Sequence, residues 1–246
     1  TKRFMDNKLR ISLSGRMDKN TNFDAQFSPR LAAVYTPDKA RNHNFRTSIQ
    51  TGFRMPTLQN QYINLPIGAL QFIGGLEEFL GPNYLLLEGS NVRNAYTETS
   101  VLNFASTGDP SVLKRAALKP VKPENVQSIE LGYKTLVKSR LLFDASYFIS
   151  RYRNFLLQET FIGPNRNRFG NDNSPELTID DIQNNNFTPF RRTGNSDKDV
   201  WSQGATIGIQ YGISSKYSVT GNYTYAELLS NNLNKESFVV GFNTPK

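Results

Sequence analysis

Apolar and polar side chains alternate with a period of two in five separate runs of the chain, the signature of strands whose two faces meet different surroundings. In residues 141–150, Leu141, Phe143, Ala145, Tyr147 and Ile149 share one face, while Asp144, Ser146 and Ser150 take the other and Leu142 and Phe148 break the pattern. Residues 203–212 set Ala205, Ile207, Ile209 and Tyr211 against Gly204, Thr206, Gly208, Gln210 and Gly212. Residues 217–225 oppose Tyr217, Val219, Tyr223 and Tyr225 to Ser218, Thr220, Asn222 and Thr224, with Gly221 a gap in the apolar row. Earlier, 9–16 sets Leu9, Ile11 and Leu13 against Arg10, Ser12, Ser14 and Arg16, and 45–54 sets Phe45, Ile49 and Phe53 against Arg46, Ser48, Gln50 and Arg54. Three further strands are expected over 28–35, 126–135 (Ile129, Leu131, Tyr133) and 238–243 (Phe238, Val240, Phe242), which makes eight in all.

The connections between these runs are unequal. Polar turns at Val137 to Arg140 and Ile213 to Lys216 alternate with two excursions, about seventy residues after Phe53 and almost fifty after Tyr152. Antiparallel hairpins with short links at one end and long ones at the other are how outer-membrane β-barrels are organised, with the lipid-embedded wall regular and function in the long loops.

A soluble β-sandwich also alternates, because it buries its apolar face. Strand length and aromatic height favour the membrane. The runs approach the roughly nine to eleven residues that a tilted strand needs to span a bilayer, against about five or six in globular sheets. Phe45 and Phe53, like Tyr217 and Tyr225, stand eight residues apart on the apolar face; at about 3.3 Å rise and roughly 40° tilt that is some 20 Å along the axis, close to the spacing of two interfacial girdles. Tyr35, Tyr133 and Tyr211 fall near the short-turn ends, where an amphipathic ring meets headgroups.

Composition fits a barrel. The 246 residues are 37% hydrophobic and hold no apolar run long enough for a transmembrane helix, and the mean hydropathy is −0.51. Only alternate residues of a barrel strand touch lipid. Cysteine is absent, which excludes disulfides and thiolate metal sites. The start, Thr1-Lys2-Arg3-Phe4, shows no apolar leader, and with Pro245-Lys246 closing the chain both ends read as cuts inside a longer barrel.

Four stretches then resemble a known family. Residues 27–37, FSPRLAAVYTP, with 45–58, FRTSIQTGFRMPTL, look like a strand pair of TonB-dependent outer-membrane receptors. Residues 118–133, LKPVKPENVQSIELGY, are similar to that family's signature leading into a returning strand, and 142–156, LFDASYFISRYRNFL, to the next strand and its exit into an external loop. The resemblance implies an all-β fold in which residues 1–246 are a partial wall, about eight strands of a barrel of about 22 whose lumen is plugged. It implies a plug domain and a TonB box, both outside this sequence, that couple the receptor to the energised inner membrane. The implied function is active import of a scarce nutrient: siderophore, cofactor, glycan or peptide. Outer-membrane lipid and the TonB complex are the implied partners, and a surface lipoprotein is a further candidate.

Charge sharpens this picture. Eleven Lys or Arg against four Asp lie in residues 1–54, whereas both excursions are close to neutral. By parity Arg10, Arg16, Arg30, Arg46 and Arg54 point into the lumen, since a lipid-facing charge costs about 2–4 kcal/mol at the midplane. The simpler account of this basic face is pairing with carboxylates of the plug; the functional one is attraction of an anionic ligand such as a ferric siderophore. In the first excursion Tyr62, Phe72, Tyr84 and Tyr96 are candidate ligand contacts, although loop aromatics, Phe79 and Phe104 included, more often pack the loop onto itself.

Other chemistries find little support. Asn171-Asp172-Asn173 and Asp180-Asp181 lack the spacing of a calcium loop, Asn184-Asn185-Asn186 reads as flexible loop, and no metal site or cofactor is expected. The lone histidine, His43, sits in an expected Asp38 to Asn44 turn without a nucleophile around it, Glu77-Glu78 carries no second acid at a known distance, and no phosphate-binding glycine motif occurs, so an enzyme is not expected. The arginines lack the interleaved loop aromatics of a nucleic-acid surface. Two rivals stay open: a small closed barrel serving as adhesin or porin, and a β-sandwich glycan-binding module, in which Leu141, Phe143 and Tyr147 would be buried against a second sheet.

Overall fold

The computed structural model of the protein describes residues 1–80, 95–164 and 177–229, together with the backbone of 237–238. The chain runs through strands β1 (Lys2–Phe4), β2 (Leu9–Asn20), β3 (Phe23–Tyr35) and β4 (His43–Arg54) before leaving for α1 (Leu58–Tyr62), β5 (Asn64–Ile67), β6 (Leu70–Ile73), β7 (Tyr96–Thr97) and α2 (Glu98–Thr107). It returns as β8 (Glu124–Val137) and β9 (Leu141–Arg153), leaves again as β10 (Leu156–Pro164), α3 (Ile179–Gln183) and β11 (Phe187–Asn195), and continues through β12 (Val200–Gly212), β13 (Ser218–Leu228) and β14 (Ser237–Phe238).

Eight strands form one antiparallel wall in the order β1-β2-β3-β4-β8-β9-β12-β13, an open sheet in which every strand pairs with the next wall strand along the chain. At one end the links are tight. Lys138 and Ser139 between β8 and β9 take φ values of 49° and 53°, the left-handed pair that matches a two-residue hairpin to strand twist. Between β3 and β4, Asp38 accepts the backbone N–H groups of Asn42 and His43 at 2.7 and 3.1 Å, and the Asn42 N–H foremost holds its carboxyl below the usual carboxylate range. That turn is complete by Asn42. His43, expected inside it, instead opens β4 with its Nδ1 2.8 Å from the Tyr133 hydroxyl.

Register fixes which side chains share a face. One rung runs Leu13, Leu31, Ile49, Ile129, Ile149, Gln203, Glu227 across seven strands. It begins apolar at β2 and turns polar at β12, so the edge of the apolar band crosses the rungs obliquely, as it must where strands tilt against a membrane plane. Along each strand the band keeps a similar length, from Leu9 to Met17 on β2, Phe45 to Phe53 on β4, Leu141 to Ile149 on β9 and, starting one residue before β13, Tyr217 to Tyr225. Its side chains are uncovered: Leu13 is 74% exposed, Ile49 55% and Val219 59%. No second sheet lies over this face among the described residues, and Tyr147 is exposed with Leu141 and Phe143 half-exposed, which removes the sandwich rival.

The strands outrun their alternating segments. β2 continues to Asn20, β3 begins at Phe23 and β12 at Val200. Beyond the apolar band both faces meet water, so the hydrophobic period fades while the hydrogen-bonded ladder continues. Residues 2–4 add an unexpected edge strand. Of the strand expected over 238–243 only Phe238 is described, and as part of Ser237–Phe238 it pairs with β10 rather than with the wall; residues 239–243 lie outside the described residues.

The two excursions form a second body with its own sheet, β10-β11-β6-β5, with β7 also on β10 and β14, from beyond β13, pairing at the β10 edge. Its centre joins both loops, with Ile73 and Ala95 from the first packed on Phe161 and Phe190 from the second; the two phenyl rings stack at 5.5 Å. A neighbouring cluster sets Val101 and Phe104 of α2 against Ile162, Leu177 and Ile182. α2 starts at Thr97, whose hydroxyl accepts the Ser100 N–H, and stops at Gly108 with φ of 69°. Arg192, 3% exposed, bonds Glu159 Oε1 at 2.5 Å and the Lys119 carbonyl at 2.6 Å, tying one excursion to the other.

Ile207 lies in mid-band, and its neighbour Thr206 on the opposite face. Ile207→Arg is expected to destabilise the membrane-inserted full-length protein by about 2–4 kcal/mol, and Thr206→Arg by less than about 1 kcal/mol, as measured by denaturant unfolding in lipid bilayers.

Candidate functional site

The polar face of the wall carries the charges singled out by parity, and pairing register brings Arg10, Arg30 and Arg46 around one hollow while Arg16 and Arg54 lie elsewhere on the face. Arg46 on β4 reaches across β8 to Asp144 on β9 at 2.7 Å and approaches Glu130 at 3.8 Å, while Lys134 stands 3.9 Å from Asp144. Gly132 lies directly opposite Arg46 on β8, and any side chain there would collide with the guanidinium. Arg16 pairs with Asp18 on its own strand at 2.6 Å. Arg10 and Arg30 have no acidic partner among the described residues. The carboxylates Asp18, Glu130 and Asp144 were not singled out from sequence as partners; Asp144 sat on the polar side of its run, but the link to Arg46 needs the strand order.

Arg54 ends β4 at the junction of wall and loop body. Its Nη2 is 2.8 Å from Glu124 Oε2, and the same oxygen accepts the backbone N–H of Leu156 at 2.8 Å. The Glu124 side chain is 7% exposed, so one carboxylate at the start of β8 holds the end of β4 and the start of β10 together. A second tie comes from the β2–β3 hairpin, whose tip Asn22 donates to Gln61 Oε1 at 2.7 Å. Gln61, buried in α1, donates in turn to the Pro56 carbonyl at 2.7 Å.

The loop aromatics divide. Tyr62 is exposed beside the Asn22 tip and Phe72 is half-buried in β6. Tyr96 packs against the α2 cluster with the Arg115 guanidinium 4.3 Å above its ring, Phe79 and Phe104 are buried, and Tyr84 lies outside the described residues. Beside Asn22 a cleft of about 880 Å³ opens between the hairpin tip, Leu76 to Glu78 and Pro120 to Asn125. Asp181 is buried in a capping box with Thr178, and its carboxylate also accepts the Asn186 side-chain amide. Among the described residues no cluster of His, Asp and Glu could hold a metal ion, and Asn171 to Asn173 lie outside them. Asn184, expected in a flexible loop, instead caps the C-terminal end of α3, and Asn186 bonds back to Asp181.

On the apolar face the aromatics gather at two heights. Tyr35, Phe45 and Tyr133 share the rung next to the short turns, with the Phe45 and Tyr133 rings 4.8 Å apart, and Tyr211 and Tyr217 flank the 213–216 turn. Towards the loop end stand Phe27, Phe53, Trp201 and Tyr225, of which Phe27 and Trp201 went unnoticed in sequence. There Tyr225 and Gln203 both donate to Glu227, and Tyr147 donates to Gln203, so the rings present hydroxyls where the band ends. Between the girdles an apolar hollow of about 620 Å³ lies over small residues such as Ala33, Ala145 and Ala205; it opens toward lipid, away from the charged face.

Residues 3–245 match the family described as TonB dependent receptor-like, beta-barrel. Comparison with curated proteins yields no match. Among solved structures the chain is similar to the siderophore receptor PirA from Acinetobacter baumannii, with 14% identity and a TM-score of 0.51 over 93% of this chain and 26% of that one. It is also similar to the siderophore receptor PirA from Pseudomonas aeruginosa, with 15% identity and a TM-score of 0.49 over 90% of this chain and 29% of that one. The chain thus spans under a third of either receptor's length, and at such identities the likeness concerns the fold alone.

Glu124→Gln is expected to weaken both bonds at the junction and to cost about 1.5–3 kcal/mol, the range for hydrogen bonds to charged groups. Hydrogen exchange on the full-length protein would show it as faster exchange at the Leu156 amide, with β9 amides in mid-wall unchanged.

Proposed function

The chain belongs to the TonB dependent receptor-like β-barrel family of bacterial outer-membrane proteins, and we propose that it supplies wall and external loops to an active transporter that binds and imports a scarce nutrient. The observation that carries this reading is the joining of both excursions into one packed body at one end of a lipid-banded wall. A passive wall needs no such body. A receptor does, because capture of a dilute ligand requires a preorganised surface outside the membrane.

In this reading the loop body and its cleft capture cargo, and the polar face lines the lumen through which cargo passes. The protein contributes binding, orientation and a path. Opening the path is the task of a plug coupled to the energised inner membrane through TonB, and both lie beyond the chain described. Siderophore, cofactor, glycan and peptide cargoes all fit a cleft of mixed polarity; the basic polar face favours those that carry negative charge.

Uptake by cells expressing the full-length protein tests this directly, with a ferric siderophore, cobalamin, an oligosaccharide and a peptide as labelled probes. Accumulation of one probe is expected, abolished by a protonophore or by loss of TonB. Flux that persists without energy and follows the external concentration would instead mark a passive pore.

A further inference from the structure

Three arginines surround one small depression on the polar face. Arg10 on β2 and Arg46 on β4 lie on a single rung, either side of Val34 on β3. The next same-face rung is Ser12, Ala32, Ser48, and the one beyond it carries Arg30 between Ser14 and Gln50. The short side chains of the middle rung make a floor, and the guanidinium groups rise around it. Arg10, Arg30 and Arg46 all line the resulting hollow of about 190 Å³, with Glu130 at its far side.

The three rim cations differ in how they are held. Arg46 is committed to Asp144 and Glu130, and Lys134 shares Asp144. Arg10 and Arg30 have no carboxylate among the described residues and remain exposed. Four cations against two carboxylates leave the cluster two positive charges in excess. That excess sits on the two side chains whose planar forks fit a carboxylate in bidentate fashion. Ser12 and Ser48 add hydroxyl groups from below.

We propose that Arg10 and Arg30, over the Ser12–Ala32–Ser48 floor, form a carboxylate-binding subsite on the lumen side of the wall. The proposal rests on the transporter reading, which makes the polar face the lumen. The carboxylate has two possible sources, an acidic side chain of a domain filling the lumen or an acid group on passing cargo, and the guanidinium chemistry is the same for both.

The test uses full-length protein in detergent without cargo, as wild type, as the double variant R10Q/R30Q and as R10K/R30K, with succinate as probe and neutral succinamide as its control. If the protein's own carboxylate fills the subsite, R10Q/R30Q lowers the Tm at low salt, high salt shrinks that drop, R10K/R30K recovers part of it, and succinate does not bind. If the subsite awaits cargo, the Tm of R10Q/R30Q does not fall, and wild type binds succinate about tenfold or more above succinamide. That preference is then lost in R10Q/R30Q and reduced in R10K/R30K. An unchanged Tm together with equal binding of succinate and succinamide would overturn the subsite. Energy-dependent uptake retained beside that result would leave the transporter reading standing, whereas energy-independent uptake would remove that reading and not the anion affinity itself.

Discussion

Hydrocarbon offers a backbone no hydrogen-bond partner, and each unpaired N–H or C=O left in it costs several kcal/mol. A chain that crosses a bilayer as strands must therefore keep an unbroken ladder through the lipid layer. The wall meets this demand by pairing every strand with the next wall strand along the chain, from β2 to β13. Irregular backbone is confined to the two ends, where water can serve it. Period-two alternation follows, because one face of each strand meets lipid and the other does not. The oblique apolar edge, reached at Gln203 and Glu227 while Leu13 on the same rung is still apolar, follows from tilt.

The polar face solves a second problem, that of holding charge on a thin wall. Arg46, Glu130, Lys134 and Asp144 spread their charges over three adjacent strands, and the absence of a side chain at Gly132 gives the Arg46 guanidinium room to lie across the sheet. Gly204 does the same for Phe148. At the loop end Glu124 couples wall to loops through Arg54 and the Leu156 N–H. The end of β4 and the start of β10 are thereby held to the same carboxylate at the start of β8.

The wall was legible in the sequence because lipid imposes one rule on every strand that crosses it, and seven of the expected strands lie where alternation put them. What lipid does not touch was harder to read. β10 buries Leu156, Leu157, Phe161 and Ile162 on both faces, so it shows no alternation, and β11 carries Pro189 and Gly194 inside a strand. The parallel pairing of β6 with β11 joins residues more than a hundred positions apart. The arginines on the polar face were visible by parity, but their partners were not, since Arg46 meets Asp144 only once β4, β8 and β9 are set side by side. Residues 184–186 looked like plain asparagine-rich loop because a five-residue helix with a capping box leaves little hydrophobic trace.

On each wall strand the two faces meet lipid and lumen in turn. Single spin labels at successive positions 143–150 of the full-length protein in bilayers test it most directly, with relaxation by oxygen, enriched in lipid, compared with relaxation by a water-soluble nickel complex. Oxygen access is expected at Phe143, Ala145, Tyr147 and Ile149 and low oxygen access at Asp144, Ser146, Phe148 and Ser150, a period of two through the whole run. Uniform access to the nickel complex, or oxygen access without that period, would contradict it.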